Sequence, residues 1–214
     1  MKNLIIIGAG GYAKSVIDSL DHLNFRLVGF IDDIKPIGGN HQGYPILFND
    51  IIQVENPQDF VYFVAIGHNG KRKRWYDRLK TQGLSLINVI DRTALISPHA
   101  ELGEGNFIGK LSILNHGSKV GNNCVINTRA LIEHGCVIED HVNVSTNATL
   151  NGDVIAKVGS FIGSGTVING QITIGEWALV GSGAVVIKDV IQRSSVVGIP
   201  AREIKSNSKK YNTL

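Results

Sequence analysis

The chain is poor in the features that mark secreted, membrane-spanning and nucleic-acid-binding proteins. It has only two cysteines in 214 residues, Cys124 and Cys136, and we expect both to be reduced core residues rather than a disulfide or a nucleophile. The net charge is only +3, and the one basic cluster, residues 71–74, is predicted to be a solvated helix start, since no aromatic residues are interleaved with it. The apolar run 4–7 is too short for a signal peptide or a membrane span. These absences predict a cytoplasmic protein that binds neither nucleic acid nor membrane.

The dominant positive feature is a six-residue period that runs from residue 96 to residue 191. Fifteen of the sixteen hexapeptides begin with Ile, Leu or Val: the first positions are Ile96, Leu102, Ile108, Leu114, Val120, Ile126, Ile132, Ile138, Val144, Leu150, Ala156, Ile162, Ile168, Ile174, Val180 and Val186. A mostly small residue comes four places later, including Ala100, Ser112, Ser118, Cys124, Ala130, Cys136, Ala148, Ser160, Thr166, Ala178 and Ala184. No helix has a period of six. The pattern therefore predicts a three-sided solenoid with 18 residues per coil, whose large residues fill its interior.

The residues before the repeat predict a separate domain in which strands and helices alternate. Apolar runs predict strands at 3–7, 27–31, 61–66 and 84–89, and helical spacing predicts helices at 13–23 and 71–82. This order implies a parallel sheet that binds ligands at the carboxyl ends of its strands. We expect an N-terminal domain at 1–91, the solenoid at 92–205 and a polar tail at 206–214.

The turn after the first strand is rich in glycine, and the second strand ends in Asp32 and Asp33. Gly8 and Gly10 fit the dinucleotide fingerprint, but Ala13 stands where that fingerprint has its third glycine. The turn alone leaves open both a phosphate site at a helix N-terminus and a plain tight turn.

Seven segments together resemble the PglD/NeuD-like group of sugar O- and N-acyltransferases, in the left-handed β-helix (hexapeptide-repeat) class. They are Ile7-Gly8-Ala9-Gly10-Gly11, Phe30-Ile31-Asp32-Asp33, Ala65-Ile66-Gly67, Ile126-Asn127-Thr128, Ile132-Glu133-His134, Phe161-Ile162-Gly163 and Gly198-Ile199-Pro200-Ala201. The resemblance implies an α/β, Rossmann-like parallel-sheet domain followed by a left-handed parallel β-helix. It also implies a homotrimer that transfers an acetyl group from acetyl-CoA to a nucleotide-linked amino sugar or to sialic acid, without a metal.

The resemblance also assigns roles to individual residues. The nucleotide-linked sugar would contact Gly10, Gly11, Tyr12, Asp32, Asp33 and Gly67. Acetyl-CoA would contact Asn143, Ser164, Ser182, Lys188 and Pro200. The general base would be His134, with Asn127, His116 and Glu133 as its neighbours.

The repeat itself gives His134 a predicted neighbour. His116 and His134 are 18 residues apart and both third in their hexapeptides, so they should lie one coil apart, at a spacing of about 4.8 Å. His116 is then either a packing neighbour or a substrate contact. Gly135 stands where family members commonly carry an acid that orients the base. Glu133 is not expected to replace that acid, because adjacent strand residues point in opposite directions.

Three functions are compatible with these residues. The first is direct N-acetyl transfer to a UDP- or dTDP-linked amino-dideoxy sugar in bacterial glycan biosynthesis, with His134 as base. The second is O-acetylation of a sialic-acid-type sugar, which Gly135 disfavours because a hydroxyl needs a stronger base. The third is a non-catalytic nucleotide-sugar-binding β-helix, which Gly135 favours, as does Asn143, where the family usually has histidine.

Overall fold

The computed structural model describes residues 1–204, so the predicted tail at 206–214 lies outside the described residues. The N-terminal domain is a six-stranded sheet in the order β3-β4-β2-β1-β5-β6. Its strands are β1 Lys2–Ile7, β2 Phe25–Ile31, β3 Asn40–His41, β4 Tyr44–Phe48, β5 Val61–Val64 and β6 Ser85–Leu86. Its helices are α1 Gly11–Asp18 and α2 Asn69–Thr81, with short 3₁₀ segments at Ile51–Gln53 and Pro57–Asp59. All strand pairs in this sheet are parallel except the β3–β4 hairpin.

Two predicted elements of this domain were wrong in extent. The first helix ends at Asp18 rather than at residue 23, because Asp21 accepts hydrogen bonds from Leu23 N at 3.0 Å and from Asn24 Nδ2 at 2.6 Å and so forms a turn. The predicted strand 84–89 is two elements, since β6 belongs to the N-terminal sheet whereas Val89–Ile90 pairs with Phe107–Ile108 of the solenoid. The β3–β4 hairpin was not predicted.

The repeat folds into a three-sided parallel β-helix in which each strand pairs with the strand 18 residues later. The first face contains Val89–Ile90, Phe107–Ile108, Val125–Ile126, Asn143–Val144, Phe161–Ile162, Leu179–Val180, Ser195–Val197 and the antiparallel Arg202–Glu203. The second face contains Leu95–Ile96, Ile113–Leu114, Leu131–Ile132, Thr149–Leu150, Val167–Ile168 and Val185–Val186. The third face contains Glu101–Leu102, Lys119–Val120, Val137–Ile138, Ile155–Ala156 and Thr173–Ile174. We call the corner between the first and second faces the first corner, and that between the second and third faces the second corner.

The interior of the β-helix is the one that the period predicts. Fourteen of the sixteen first-position residues are at most 3 % exposed, and only Ile96 and Leu102, in the first coils, are partly exposed. Cys124 and Cys136 are free and buried, as predicted. Burial raises the pKa of Cys124 to about 12 and that of Cys136 to about 11, so neither is a reactive thiolate.

The corners depend on a repeated left-handed backbone conformation. From residue 105 to residue 183, the fourth residue of every hexapeptide has a positive φ. Six of these residues are glycine, for which the conformation is free of strain. The others include Leu111 and Trp177, which adopt it at a cost that the stacked coils must offset.

The N-terminal domain covers the first face of the β-helix. The Tyr12 and Phe107 rings meet edge to face at 5.4 Å, and Phe107 and Val125 belong to the same buried cluster as Leu4 of β1. The two domains therefore share one hydrophobic core and are not joined by a linker alone.

Arg72 fastens this junction, which corrects the prediction that residues 71–74 are a solvated helix start. Its side chain is 1 % exposed. Nε donates to Asn123 O at 3.0 Å and Nη2 to His141 O at 2.8 Å, while Nη1 donates to the carbonyls of Ile66 and Gly67 at 3.2 and 3.1 Å. One buried guanidinium thus links the turn after β5 to two coils of the β-helix.

Candidate active site

The N-terminal domain carries a cavity of about 600 Å³ at the carboxyl ends of β1, β2 and β5. Its walls include all six residues that the resemblance assigns to the nucleotide-linked sugar: Gly10, Gly11, Tyr12, Asp32, Asp33 and Gly67. The topology explains why they meet. Each segment directly follows a parallel strand, and these three strands end at the same edge of the sheet.

The glycine turn leaves the N-terminus of α1 open. Gly10 is the N-cap residue, no side chain caps the first turn, and a Cβ added to Gly10 or Gly11 would meet nothing within 4 Å. The N-terminus of α2 differs, since Nδ1 of His68 accepts from Gly70 N at 3.1 Å and Lys71 N at 3.3 Å. Of the two helices, α1 therefore offers its N–H groups and positive dipole end to an anion in the cavity.

The two aspartates after β2 have different environments. Asp32 Oδ2 accepts from Ala9 N at 2.7 Å, while Oδ1 accepts from Ile34 N at 3.0 Å and Lys35 N at 2.9 Å. Partial burial by itself would raise the pKa of Asp32, but these backbone hydrogen bonds outweigh it and lower the pKa. Asp32 thus holds the glycine turn in place, whereas Asp33 is exposed on the cavity wall and its carboxylate faces solvent.

One side of α2 completes the cavity with residues that the sequence analysis did not assign to it: Lys71, Arg74, Trp75 and Arg78. Arg78 binds Asp50 at 2.7 Å and lies 4.6 Å from the centre of the Trp75 ring. Lys71 and Arg74 form no ion pair within residues 1–204 and leave positive charge on the wall. Their spacing of three and four residues along a predicted helix was the signal that could have placed them on one side.

Tyr12 contributes its ring rather than its hydroxyl to the cavity. The hydroxyl is buried at the domain junction and has no hydrogen-bond partner in the described part of the chain. Burial raises the pKa of Tyr12, and the nearby Arg72 charge opposes that shift only partly. A ligand in the cavity therefore meets the aromatic face or edge of this residue.

His134 is exposed at the second corner of the β-helix. Its ring leans toward the next coil and occupies the space above Gly152, where an added Cβ would lie 2.7 Å from Nε2 and 3.2 Å from Nδ1. Gly152 therefore leaves room for the imidazole, and a side chain there would displace it.

The predicted neighbours of His134 face the preceding coil instead. The backbone register is the expected one, since Leu114 pairs with Ile132 and Gly135 N donates to His116 O at 3.2 Å. The His116 ring, however, lies 4.4 Å from the His99 ring. Glu133 Oε2 accepts from Asn115 Nδ2 at 2.9 Å and from the backbone N of His134 at 3.4 Å, so the side chains of His116 and Glu133 both point away from the ring of His134.

The residues assigned to acetyl-CoA lie mainly at the first corner. Ser164, Ser182 and Pro200 follow one another at 18-residue intervals, and all three are exposed. Between them, Gly165 and Gly183 have no atom within 4 Å of an added Cβ, whereas earlier coils carry Arg129 and Asn147 at this place. The last coils thus present bare backbone along this edge, which suits a long, thin ligand with amide groups.

The other assigned residues are spread more widely: Asn127 was assigned as a neighbour of the base, and Asn143 and Lys188 were assigned to acetyl-CoA. Asn127 lies two coils before Ser164, and its Oδ1 accepts from Thr128 N at 2.7 Å. Asn143 is 8 % exposed on the first face, with Ser145 Oγ 3.5 Å from its Oδ1. Lys188 is on the second corner with His134, three coils farther on, about 14 Å along the axis by strand spacing. Within one protomer the second face separates His134 from the serines.

Comparisons with known proteins agree with this two-part architecture. Residues 3–79 match the PglD N-terminal domain, and residues 99–134 match the bacterial transferase hexapeptide (six repeats) family. The acetyltransferase domain of PglB from Neisseria gonorrhoeae FA1090 is 28% identical and superposes with a TM-score of 0.90, covering 95% of this chain and 100% of that one. PerB from Caulobacter crescentus, in complex with CoA and GDP-perosamine, is 29% identical with a TM-score of 0.87, over 96% and 98% of the two chains.

A curated relative is the UDP-N-acetylbacillosamine N-acetyltransferase of Bacillus subtilis (strain 168), which is 34% identical over 111 residues. The match covers 50% of this chain and spans 51%, about half, of the length of that relative. The fold and the matched segments place the chain in the hexapeptide-repeat class of left-handed β-helix proteins. Within that class, its matched segments are similar to the PglD/NeuD-like sugar acyltransferases.

Two further findings concern the described residues only. Residues 1–204 contain no helix with the length and apolar character that a bilayer span needs. The same residues contain no group of three or more His, Cys, Asp or Glu side chains placed to hold a metal ion.

Proposed function

We propose that the protein transfers the acetyl group of acetyl-CoA to the amino group of a nucleotide-linked amino sugar. The observation that carries the proposal is the convergence of all six predicted sugar-nucleotide residues on one cavity, in a chain whose β-helix also presents an exposed imidazole. The relatives support the amine as acceptor, since those of Bacillus subtilis and Caulobacter crescentus are named N-acetyltransferases. They also support acetyl-CoA, which is bound in a structure of the Neisseria domain.

The cavity supplies separate groups for each part of a nucleoside diphosphate. The open N–H groups at the start of α1, with Lys71 and Arg74 across the cavity, suit the diphosphate. The exposed carboxylate of Asp33 suits a base N–H or a ribose hydroxyl. Gly67 leaves its wall free of a side chain, so that the nucleoside can lie against the backbone.

The bare edge at the first corner suits the pantetheine arm of acetyl-CoA. The exposed hydroxyls of Ser164 and Ser182 and the free backbone around Gly165 and Gly183 can pair with its amides. At the end of the helix, a cavity of about 280 Å³ is lined by Lys188 and Arg202, which can bind the phosphates of the nucleotide end, and also by Asp189 and Glu203.

His134 would act as the general base in a direct transfer. The amine nitrogen bonds to the acetyl carbonyl carbon, the carbon–sulfur bond breaks, and the amine proton passes to the imidazole and then to the departing thiolate. An exposed imidazole is suited to this proton transfer near neutral pH. Cys136 takes no part, since it is buried and its pKa is raised to about 11.

The positions of these groups support a homotrimer. His134 and the bare edge lie on opposite sides of the second face, so one prism cannot bring them to the same acetyl group. Packing the second corner of one copy against the first corner of the next would join them, and three such contacts close a ring. Light scattering that finds a fully active monomer would overturn this arrangement.

The test is an incubation of the protein with acetyl-CoA, a thiol reagent and a panel of UDP-, dTDP- and GDP-linked amino sugars. We expect thiol release with at least one amino sugar and none with the matching sugar that carries a hydroxyl in place of the amine. Release only with hydroxyl acceptors such as sialic acid would make the protein an O-acetyltransferase. Tight binding of a nucleotide sugar without any release would make it a binding protein.

The matched variants in this assay are His134→Ala and His116→Ala. We expect His134→Ala to lower kcat by about 10²–10⁴-fold with little change in KM, because a general base acts mainly in the transition state. His116→Ala should have a milder effect, since the ring of His116 lies against His99. Activity of His134→Ala within threefold of the wild type would place the base elsewhere.

A further inference from the structure

The second corner contains a carboxylate that faces the same gap between coils as the ring of His134. This gap is bounded by residues 134 and 135 on one coil and by residues 152 and 153 on the next. His134 fills the space that a side chain of Gly152 would need. Asp153 fills the space that a side chain of Gly135 would need, since a Cβ added there would collide with Oδ1 and lie 3.3 Å from Cγ. Because Gly135 and Gly152 have no side chains, the gap has room for the His134 imidazole and the Asp153 carboxylate.

The backbone holds the two residues in this register. Asp153 N donates to His134 O at 2.9 Å, and Cys136 and Val154 flank the gap with buried side chains. Both Asp153 and Gly135 have a left-handed backbone, with φ of 62° and 68°. Their Cβ positions are therefore equivalent in consecutive coils, which lets Asp153 place its carboxylate beside the coil that carries His134.

The other titratable groups near His134 face away from this gap. Glu133 turns to Asn115 of the preceding coil through its 2.9 Å hydrogen bond, and the His116 ring lies against His99. Asp153 is therefore the carboxylate on the side to which the imidazole leans. A base that gains a proton in the transition state becomes positively charged. A carboxylate close to the ring stabilises the imidazolium that forms.

We infer that Asp153 is the positioning residue for His134: its carboxylate, admitted by Gly135, stabilises the protonated imidazole and restricts the orientation of the ring. Residue 135 needs no acid of its own in this chain, because the next coil supplies one from the opposite direction. The inference rests on the proposed function, in which His134 takes the proton of the acceptor amine.

The test compares Asp153→Asn with Glu133→Gln, which removes the carboxylate next to His134 in sequence, one that faces the preceding coil. We expect Asp153→Asn to lower kcat about tenfold to a hundredfold with KM unchanged, the usual cost of losing a group that orients a functional histidine. The acidic limb of its pH–rate profile should move to lower pH, because the imidazolium loses its stabilising charge. Glu133→Gln should leave that limb in place.

A rescue experiment exchanges the residues at positions 135 and 153. The double variant Gly135→Asp with Asp153→Gly returns a carboxylate to the same gap from the other coil, at a backbone conformation that Asp153 already adopts. We expect it to restore the acidic limb, whereas Asp153→Gly alone, which leaves the gap without a carboxylate, should not. Melting temperatures of all variants separate these effects from misfolding.

A substrate-free measurement keeps this inference distinct from the proposed function. In protein labelled with ¹³C-histidine, the titration midpoint of the His134 ring should fall in Asp153→Asn and stay unchanged in Glu133→Gln. An unchanged midpoint in Asp153→Asn, or an equal shift in Glu133→Gln, overturns the inference even if the enzyme is active. Failure of the wild type to acetylate any acceptor overturns the proposed function and leaves the titration to decide the role of Asp153.

Discussion

The two domains build their candidate sites in different ways. The N-terminal domain forms its cavity within one protomer, from three loops that follow strands ending at the same edge of a parallel sheet. The β-helix places its candidate residues on two corners of a prism, with a flat face between them. A parallel sheet therefore provides a concave site by topology alone, whereas a convex prism needs a second copy to form a cleft.

This difference separates the binding of the nucleotide from the transfer of the acetyl group. The cavity can select a nucleoside diphosphate in an isolated chain, through the N-terminus of α1 and the charges on α2. In the proposed function, acetyl transfer depends on a junction between copies, so we expect it to be lost when the copies separate even though the nucleotide still binds. Predictions that act on the junction are thus expected to have larger effects than those that act within the N-terminal domain.

Mixed oligomers give the largest expected effect. Ser182→Trp should block the bare edge at the first corner, and His134→Ala removes the base at the second, so each variant alone should be nearly inactive. In oligomers co-assembled from equal amounts, about one junction in four would join an intact His134 to an intact edge. We expect kcat to recover to about a quarter of the wild-type value. No recovery in verified mixed trimers would mean that both groups act within one protomer.

The β-helix was predictable from the sequence because its period acts on every coil. The buried first positions, the small fifth positions and the one-coil register of His116 and His134 all follow from it. Side-chain directions do not follow from it. His116 turns to His99 and His134 to Gly152 because of what the neighbouring coil leaves open, which only the coordinates reveal.

The N-terminal domain was less predictable because its contacts are not periodic. The glycine turn and the carboxyl ends of the strands were enough to predict the cavity, but not its fourth wall on α2. The basic cluster that contains Arg72 was predicted to be solvated because no aromatic residues are interleaved with it. The two β-helix carbonyls that bind the guanidinium, those of Asn123 and His141, are 51 and 69 residues away in sequence, so the local pattern does not reveal its burial. The β3–β4 hairpin turns at Gln42 and Gly43, which were not recognised as turn residues.

Gly152→Ala tests the position of His134 at the second corner. The added methyl would lie 2.7 Å from Nε2 of His134, and the ring can move aside because it is exposed. We expect kcat to fall by up to about 10²-fold, the cost of a misplacement of about 1 Å, with little change in melting temperature. Gly170→Ala is the matched control one coil farther on, since its methyl meets only Gly152 O, at 3.0 Å. Equal activity of both variants would show that the ring does not act from this position.

Arg72→Met tests the junction between the domains. It leaves the carbonyls of Ile66, Gly67, Asn123 and His141 without their donor, at an expected cost of about 2–4 kcal/mol. That cost corresponds to a fall in melting temperature of about 5–10 °C. Lys73→Met, one residue away on the same helix and paired only with Asp77 at the surface, should melt within about 1–2 °C of the wild type. A similar loss in both variants would mean that charge on α2, not the buried hydrogen bonds, stabilises the junction.

The smallest expected effect separates the two aspartates of the cavity. The backbone N–H groups of Ala9, Ile34 and Lys35 hold the pKa of Asp32 below its ordinary value despite partial burial. A lowered carboxylate pKa stabilises the folded state above the unfolded value of about 3.9, and this contribution is lost as the pH falls through the lower folded value. Asp32→Asn should therefore melt a few degrees below the wild type at pH 7, and the difference should shrink toward about pH 3.

Asp33→Asn is the control for that measurement, because Asp33 lies on the same loop and is exposed. We expect it to leave the melting temperature unchanged at both pH values and to weaken nucleotide-sugar binding in calorimetry, while acetyl-CoA binding stays intact. Asp32→Asn should weaken sugar-nucleotide binding only as far as it loosens the glycine turn at Ala9. The reverse pattern, with Asp32 governing affinity and Asp33 governing stability, would mean that Asp32 exchanges its backbone hydrogen bonds for ligand contacts.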